Sequence, residues 1–195
     1  MITLATKVTI LRILLVPVCL SQLVYYAVGY GDGVAKEWHR LMAFWVFVVA
    51  SLSDAVDGFI ARQFNQQSQL GRVLDPIADK MLLMTVIILL AVNPGNAFPK
   101  LPLWFPILVV SRDVLLMAGA LLIHIIIGEV KVKPRIVSKI ATLFQMVTLG
   151  CVMLKMDPAA IAWPLYAAAF FTSVSLVWYL FDGAKQFNSV VNLKV

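Results

Sequence analysis

Residues 53–80 read SDAVDGFIARQFNQQSQLGRVLDPIADK and place four aspartates inside a chain that is otherwise strongly apolar. Of the 195 residues, 62% are hydrophobic and only 13% are charged. A water-soluble globular domain has about 45–50% apolar and about 25% charged residues. The composition therefore predicts an integral membrane protein, in which this group of charges needs a functional explanation.

Apolar runs between polar, glycine or proline breaks predict six transmembrane helices. They lie near residues 9–30, 39–62, 74–93, 102–127, 136–155 and 158–182. About 20 apolar residues cross a bilayer core about 30 Å thick, so six crossings use nearly the whole chain. We therefore expect an all-α fold, a bundle of six helices that forms one membrane domain over residues 1–195.

The distribution of lysine and arginine predicts the orientation. Eleven of the 16 cations lie near the face that carries both termini and the connections 63–73 and 128–135. Cytoplasmic loops are rich in these residues, so both termini and the aspartate stretch are expected on the cytoplasmic side of a bacterial inner membrane. The same asymmetry accounts for the net charge of +6, and no nucleic-acid partner is predicted.

The four aspartates form two helical pairs. Asp54 and Asp57 end the second predicted span, whereas Asp75 and Asp79 begin the third. At these spacings each pair projects from one face of a helix. An aspartate at the centre of a membrane helix costs about 2.5–3.5 kcal/mol, so the four are expected to face the protein interior or a wet cavity. Converging carboxylates repel one another unless cations neutralise them, and four are enough to hold two hard divalent ions such as Mg²⁺.

Small and cationic residues accompany the aspartates. Gly58, Ala61 and Gly71 leave room for a ligand to approach the backbone, and Arg62 adds donors for phosphate oxygens. A metal pair beside such residues suits phosphoryl chemistry. Taken singly, each feature also fits a structural role, because small residues and buried ion pairs often serve only the packing of membrane helices.

The whole pattern resembles the signature of the CDP-alcohol phosphatidyltransferase family. Every position matches in Asp54-x2-Asp57-Gly58-x2-Ala61-Arg62-x8-Gly71-x3-Asp75-x3-Asp79, and the segments VTILRILLVP at 8–17 and SKIATLFQ at 138–145 are also similar to this family. The resemblance implies a dimeric six-helix membrane enzyme that uses Mg²⁺ or Mn²⁺, with two ions expected. Such an enzyme transfers a phosphatidyl group from CDP-diacylglycerol to an alcohol and releases CMP.

The resemblance also implies roles for individual residues. Metal ligands would be Asp54, Asp57, Asp75 and Asp79, of which Asp79 would also be the catalytic base for the acceptor hydroxyl. The nucleotide would be bound by Gly58, Ala61, Arg62 and Gly71.

The acceptor is less specified. The chain is most similar to the glycerol-type branch, whose acceptors are glycerol 3-phosphate or phosphatidylglycerol, and the cations that could bind an acceptor phosphate are Arg112, Lys133, Arg135 and Lys139. For Arg112, a structural pair with Asp113 is an equally good interpretation. The Arg-Asp and Ser-Lys pairs at 112–113 and 138–139 depart from the phosphatidylglycerophosphate synthase pattern towards that of cardiolipin synthases, so both products stay open.

Two other classes use intramembrane acids. Membrane prenyltransferases hold Mg²⁺-diphosphate with aspartate-rich helices, but their motifs lie far apart in longer chains, whereas these four aspartates lie within 26 residues. A divalent-cation or proton transporter would spread its acids along a pathway. Here they cluster at one interface, which favours the transferase.

Overall fold

The computed structural model describes the backbone of residues 4–64, 69–127 and 136–191 and the side chains of residues 10–53, 80–119 and 136–183. Within these ranges the chain forms six α-helices and one short 3-10 turn. The helices are α1 (Leu4–Gly31), α2 (Glu37–Phe64), α3 (Gln69–Val92), α4 (Trp104–Ile127), α5 (Ile136–Met153) and α6 (Pro158–Val191), and the turn is Pro94–Asn96. The predicted all-α fold is confirmed.

Three of the described helical segments are long and apolar enough to cross a membrane. They are Ile10–Gly31, Ile136–Met153 and Pro158–Gly183. Six crossings and cytoplasmic termini stay predictions. At several ends the helices extend beyond the apolar segments. Good helix formers such as Lys185 and Gln186 lengthen a helix without adding hydropathy. For the same reason the predicted connection 63–73 is too long, since α2 ends at Phe64 and α3 begins at Gln69.

The chain divides into two compact units. Unit 1 contains Met1–Leu101 and Leu149–Pro158, and unit 2 contains Pro102–Thr148 and Ala159–Val195. The single membrane domain expected from the sequence stays a prediction.

In unit 1, the first three helices pack through buried stripes in which residues recur every three or four positions. Helix α1 packs against α2, α3 and the 3-10 turn, and α2 also packs against α3. This spacing keeps the stripe on one helical face. The stripes comprise Arg12, Val16, Cys19, Leu23 and Tyr26 on α1, Ala43, Phe47 and Ala50 on α2, and Leu83, Val86 and Leu90 on α3.

The end of unit 1 opposite the aspartate stretch is held by a set of side chains that we call the polar cap: Tyr26, Tyr30, Glu37, Arg40 and Lys155. The Tyr26 hydroxyl donates to Glu37 Oε1 at 2.8 Å, and Arg40 Nε donates to Glu37 Oε2 at 2.6 Å. The Lys155 Nζ atom lies 4.2 Å from the centroid of the Tyr30 ring, in the range of a cation–π contact. The connection after α1 and the connection after α5 therefore lie at the same end of unit 1.

In the polar cap, the pKa values of Glu37 and Lys155 both lie below their usual values. The hydrogen bond from Tyr26, aided by Arg40, holds the pKa of Glu37 below its usual value. Burial lowers the pKa of Lys155, and the nearby Glu37 carboxylate opposes that change. A buried ammonium loses hydration, which favours its neutral form.

The connection between α3 and α4 is closed by Asn93 and Gly95. Asn93 Nδ2 donates to the Phe98 carbonyl at 2.8 Å, and the Phe98 amide donates back to Asn93 Oδ1 at 3.0 Å. Gly95 has φ +70°, and a Cβ atom there would lie 2.5 Å from the Ala27 carbonyl oxygen. Glycine is required at this position by both its backbone conformation and its close approach to α1.

In unit 2, the buried stripes of α4, α5 and α6 mix apolar and polar residues. Gln145 Nε2 donates to Thr172 Oγ1 at 2.8 Å and joins α5 to α6. Phe144 stacks on Phe171 with ring centroids 5.7 Å apart. Near the beginnings of α4 and α6, Trp104 stacks on Tyr166 at 6.1 Å, and both rings are exposed, as is typical of an aromatic belt at a membrane interface.

Candidate functional site

The aspartate positions of α2 continue its buried stripe. The stripe runs through Ala43, Phe47 and Ala50, each at most 3% exposed, and the same alternation of four and three residues leads next to positions 54 and 57. The helix continues without a break to Phe64. These two positions therefore lie on the helical face that contacts α1 and α3 further along unit 1.

The same holds for α3. Steps of four residues back from Leu83, on the buried stripe of Leu83, Val86 and Leu90, reach positions 79 and 75, whereas position 71 has turned about 120° away from Leu83 at 100° per residue. All three lie within the helix, which begins at Gln69. As the sequence predicts, Gly71, Asp75 and Asp79 share one face of a regular helix.

Arg12 is a buried cation on α1, in the half of the helix that approaches the same end of unit 1. Its side chain is only 2% exposed. Contacts that pair Gln22 with His39 and Cys19 with Ala43 show that each step along α1 is matched by a step back along α2. Continued, this register places Arg12 level with Ala50, one helical turn before Asp54.

The donor set at these positions fits a hard divalent metal. Four carboxylates on two consecutive helices offer only oxygen ligands, which Mg²⁺ and Mn²⁺ prefer. The side chains of residues 54–79 lie outside those the structure describes, so the ligand roles of the aspartates and the nucleotide-binding roles of Gly58, Ala61, Arg62 and Gly71 stay predictions. Among the described side chains, no group of three or more His, Cys, Asp or Glu residues is placed to hold a metal.

Arg112 is the centre of a hydrogen-bonded cluster buried in unit 2. Its Nη1 atom donates to Asp113 Oδ1 at 2.7 Å, and its Nη2 atom donates to Ser175 Oγ at 2.9 Å and to Ser138 Oγ. Arg112 and Asp113 are 2% and 1% exposed. The structural pair with Asp113, one of the two sequence interpretations, is thus observed, whereas direct binding of an acceptor by Arg112 stays a prediction.

The remaining acceptor candidates differ in what the structure describes. Lys139 lies in the first turn of α5 and is exposed. Lys133 and Arg135 lie outside the described residues.

Sequence reasoning did not identify Arg12 as a buried cation, or Ser138 and Ser175 as partners of Arg112. A signal for Arg12 exists, because an arginine inside the apolar segment VTILRILLVP must be buried or reach an interface. For the serines no local signal exists. Small hydroxyl residues are common in membrane helices for packing alone, and only the fold brings them to the guanidinium of Arg112.

The helices and their apolar composition define an all-helical integral membrane protein, with the four aspartate positions on two consecutive helices. The model of the CDP-alcohol phosphatidyltransferase family matches residues 2–179. The chain belongs to this family, and it is a CDP-diacylglycerol-dependent phosphatidyltransferase of phospholipid biosynthesis. The family generally depends on divalent metal ions.

Curated relatives cover most of the chain. The CDP-diacylglycerol--glycerol-3-phosphate 3-phosphatidyltransferase of Bacillus subtilis is 32% identical over 185 residues, which cover 90% of this chain and 92% of the relative. The Escherichia coli K12 protein of the same name is 28% identical over 179 residues, covering 90% and 91%. A probable phosphatidylglycerophosphate synthase of Mycobacterium tuberculosis H37Rv is 30% identical over 167 residues, covering 85% and 70%.

Proposed function

We propose that this enzyme transfers the phosphatidyl group of CDP-diacylglycerol to glycerol 3-phosphate, giving phosphatidylglycerol phosphate and CMP. The observation that carries the proposal is the placement of positions 54, 57, 75 and 79 on the continuations of the buried stripes of α2 and α3. At these positions the carboxylates could contact a polar ligand inside the protein instead of lipid. The names of the relatives support glycerol 3-phosphate as the acceptor.

The four aspartates would have two chemical roles, metal binding and proton transfer. Asp54, Asp57, Asp75 and Asp79 would hold one or two Mg²⁺ or Mn²⁺ ions, which neutralise charge on the departing nucleotide when they are bound. Asp79 would also accept the proton of the acceptor hydroxyl as that oxygen attacks the phosphorus bound to diacylglycerol. The bond from this phosphorus to the CMP oxygen then breaks, and CMP leaves.

The residues around the aspartates would bind the nucleotide. Gly58, Ala61 and Gly71 carry little or no side chain, so the cytidine diphosphate could approach the helix backbones closely. Arg62 would donate charge-assisted hydrogen bonds to its phosphate oxygens.

The acceptor brings a phosphate of its own, which requires cations. Lys139 is exposed at the beginning of α5, and Lys133 and Arg135 precede it in the sequence. We propose that these three bind the acceptor phosphate and that Arg112 supports the same site. Phosphatidylglycerol, the acceptor of cardiolipin synthesis, presents a phosphodiester with one charge, whereas glycerol 3-phosphate presents a dianion that a cluster of cations binds more strongly.

The location of the enzyme follows from the charge distribution. We propose that both termini and the aspartate stretch face the cytoplasm of a bacterial inner membrane, and that the chain crosses this membrane six times as a homodimer. The excess of Lys and Arg on that side supports the orientation. The resemblance to the family supports the dimer.

The test is release of CMP by the purified protein in lipid–detergent micelles with CDP-diacylglycerol and Mg²⁺. Glycerol 3-phosphate and phosphatidylglycerol are offered in separate reactions, with Asp79→Asn as the control for background hydrolysis. We expect release with glycerol 3-phosphate only. Release with phosphatidylglycerol only would establish cardiolipin synthesis instead. If no alcohol leads to release of CMP, a cation transporter that uses the same carboxylates would be favoured.

A further inference from the structure

We infer that Arg112 is a positioning residue, which fixes the first turn of α5 through Ser138 and thereby places Lys139 for the acceptor. This inference rests on the proposed function, because the role of Lys139 as a ligand of the acceptor phosphate is part of that proposal. Nothing in the sequence motif or in the names of the relatives assigns a function to Ser138 or Ser175.

The geometry of Arg112 argues against a direct contact with substrate. The side chain is 2% exposed, and the adjacent carboxylate of Asp113 accepts a hydrogen bond of 2.7 Å from it. Its charge is therefore already balanced inside unit 2. The guanidinium is a rigid planar fork, so donating to three different residues fixes its position and orientation.

The hydroxyls that accept from Arg112 belong to two other helices. Ser175 is 1% exposed on α6 and accepts at 2.9 Å. Ser138 is the third residue of α5 and accepts from the same Nη2 atom. Arg112 on α4 thus ties the beginning of α5 to the middle of α6.

The beginning of a helix is where such a tie has most effect. The first amides of a helix have no carbonyl partner within it, so a helix end opens more easily than its middle. A second contact, from Thr142 Oγ1 to the Ser138 carbonyl at 3.1 Å, spans the first turn of α5. Ser138 is therefore held both by its side chain and by its backbone.

Lys139 is the neighbour of this anchored serine. Successive residues on an α-helix point about 100° apart, so Ser138 can contact Arg112 while Lys139 is exposed. If the first turn of α5 loosens, the ammonium of Lys139 samples more positions, and binding of the acceptor phosphate weakens. Binding of CDP-diacylglycerol, which is assigned to the aspartate stretch, should not change.

The experiment compares Ser138→Ala and Ser175→Ala with Ser173→Ala. Ser173 is an exposed serine two residues away on α6, so its variant is a matched control. Each hydroxyl variant is expected to raise the KM for glycerol 3-phosphate about three- to tenfold, the usual effect of losing one hydrogen bond. The KM for CDP-diacylglycerol and the kcat at saturating acceptor should stay at the wild-type values. Ser138→Thr and Ser175→Thr, which keep the hydroxyl, should restore most of the acceptor affinity.

A double-mutant cycle separates action through Lys139 from an independent contact. Ser138→Ala should have little further effect on acceptor KM in a Lys139→Ala background, because the group that it positions is gone. Equal effects in both backgrounds would overturn the inference, as would a common change in kcat and both KM values, or no change at all.

Hydrogen exchange at residues 136–142 distinguishes failure of this inference from failure of the proposed function. Exchange should quicken in Ser138→Ala and Ser175→Ala but not in Ser173→Ala, whichever alcohol the enzyme uses. Unchanged exchange would overturn the inference even if glycerol 3-phosphate is the acceptor. Faster exchange in a protein that ignores glycerol 3-phosphate would refute the proposed acceptor, and the kinetic comparison would then be made with the alcohol that does react.

Discussion

The hydroxyl of Tyr26, near the end of α1, donates a hydrogen bond of 2.8 Å to the carboxylate of Glu37, at the beginning of α2. The tyrosine side chain is fully buried, whereas Glu37 also pairs with Arg40 at 2.6 Å. A buried hydroxyl must be satisfied within the protein. The contact closes the connection between α1 and α2 at the end of unit 1 that lies away from the aspartates.

This contact predicts a dependence of stability on pH. Tyr26 and Arg40 lower the pKa of Glu37 in the folded protein, so the unfolded state binds a proton more readily. The stabilisation is therefore complete above the usual glutamate pKa and is lost as the pH falls through the lowered, folded value. We expect the thermal midpoint of the wild type to fall over this acidic range by more than that of Glu37→Gln. Parallel curves for the two proteins would contradict the prediction.

Gly95 and Gly33 provide a matched pair for the close approach of the 3-10 turn to α1. Both have a positive φ, +70° and +72°, but only at Gly95 would a Cβ atom meet a neighbour, the Ala27 carbonyl oxygen at 2.5 Å. Gly33→Ala should cost about 1–2 kcal/mol, from the left-handed backbone alone. Gly95→Ala should cost clearly more, because the backbone of α1 must also shift. Reversible unfolding in mixed micelles measures both, and equal losses would mean that the turn adjusts freely.

The buried pair of Arg112 and Asp113 predicts a strong asymmetry between single and double variants. Arg112→Met leaves the Asp113 carboxylate buried without its cation and should destabilise the protein by about 3–5 kcal/mol. The double variant Arg112→Met with Asp113→Leu removes both charges and should recover much of that loss. Unfolding free energies of the two variants decide the matter, and a double variant as unstable as the single one would refute this account of the pair.

Arg12 predicts an effect on activity from a helix outside the aspartate motif. It is a buried cation whose register places it one turn from position 54, so it contributes positive charge near that end of α2. Arg12→Gln should lower the rate of CMP release at least tenfold, which corresponds to an increase of about 1.4 kcal/mol in the activation free energy. Arg12→Lys, which keeps the charge, should retain more activity. Equal losses in the two variants, each still folded, would indicate that shape and not charge matters there.

The aspartates predict an absolute requirement for a divalent ion. Chelation should abolish CMP release, and Mg²⁺ or Mn²⁺ should restore it, because oxygen ligands alone select hard cations. Asp79→Asn should lower kcat by about 10²–10⁴, the usual contribution of a general base. Full activity in the presence of a chelator would contradict the metal role of all four residues.

Much of the architecture follows from local sequence. Long apolar runs predict helices because a backbone in lipid must satisfy its own hydrogen bonds. The spacing within each pair, Asp54 with Asp57 and Asp75 with Asp79, depends only on the geometry of the helix that carries it. The helices α2 and α3 carry these positions as predicted. The ends of the helices are less predictable, since α6 continues to Val191 after the apolar segment has ended.

The membrane class, the helices and the motif of the transferase family can therefore be predicted from the sequence, because each depends on residues close together in the chain. The contacts of the buried charges, in contrast, are visible only in the folded protein. Ser138 and Ser175 are 26 and 63 residues from the arginine that they bind, and the polar cap joins Tyr30 to Lys155. Such partners are selected by helix packing over long separations, and a hydroxyl or an ammonium carries no local signal of the group that will satisfy it.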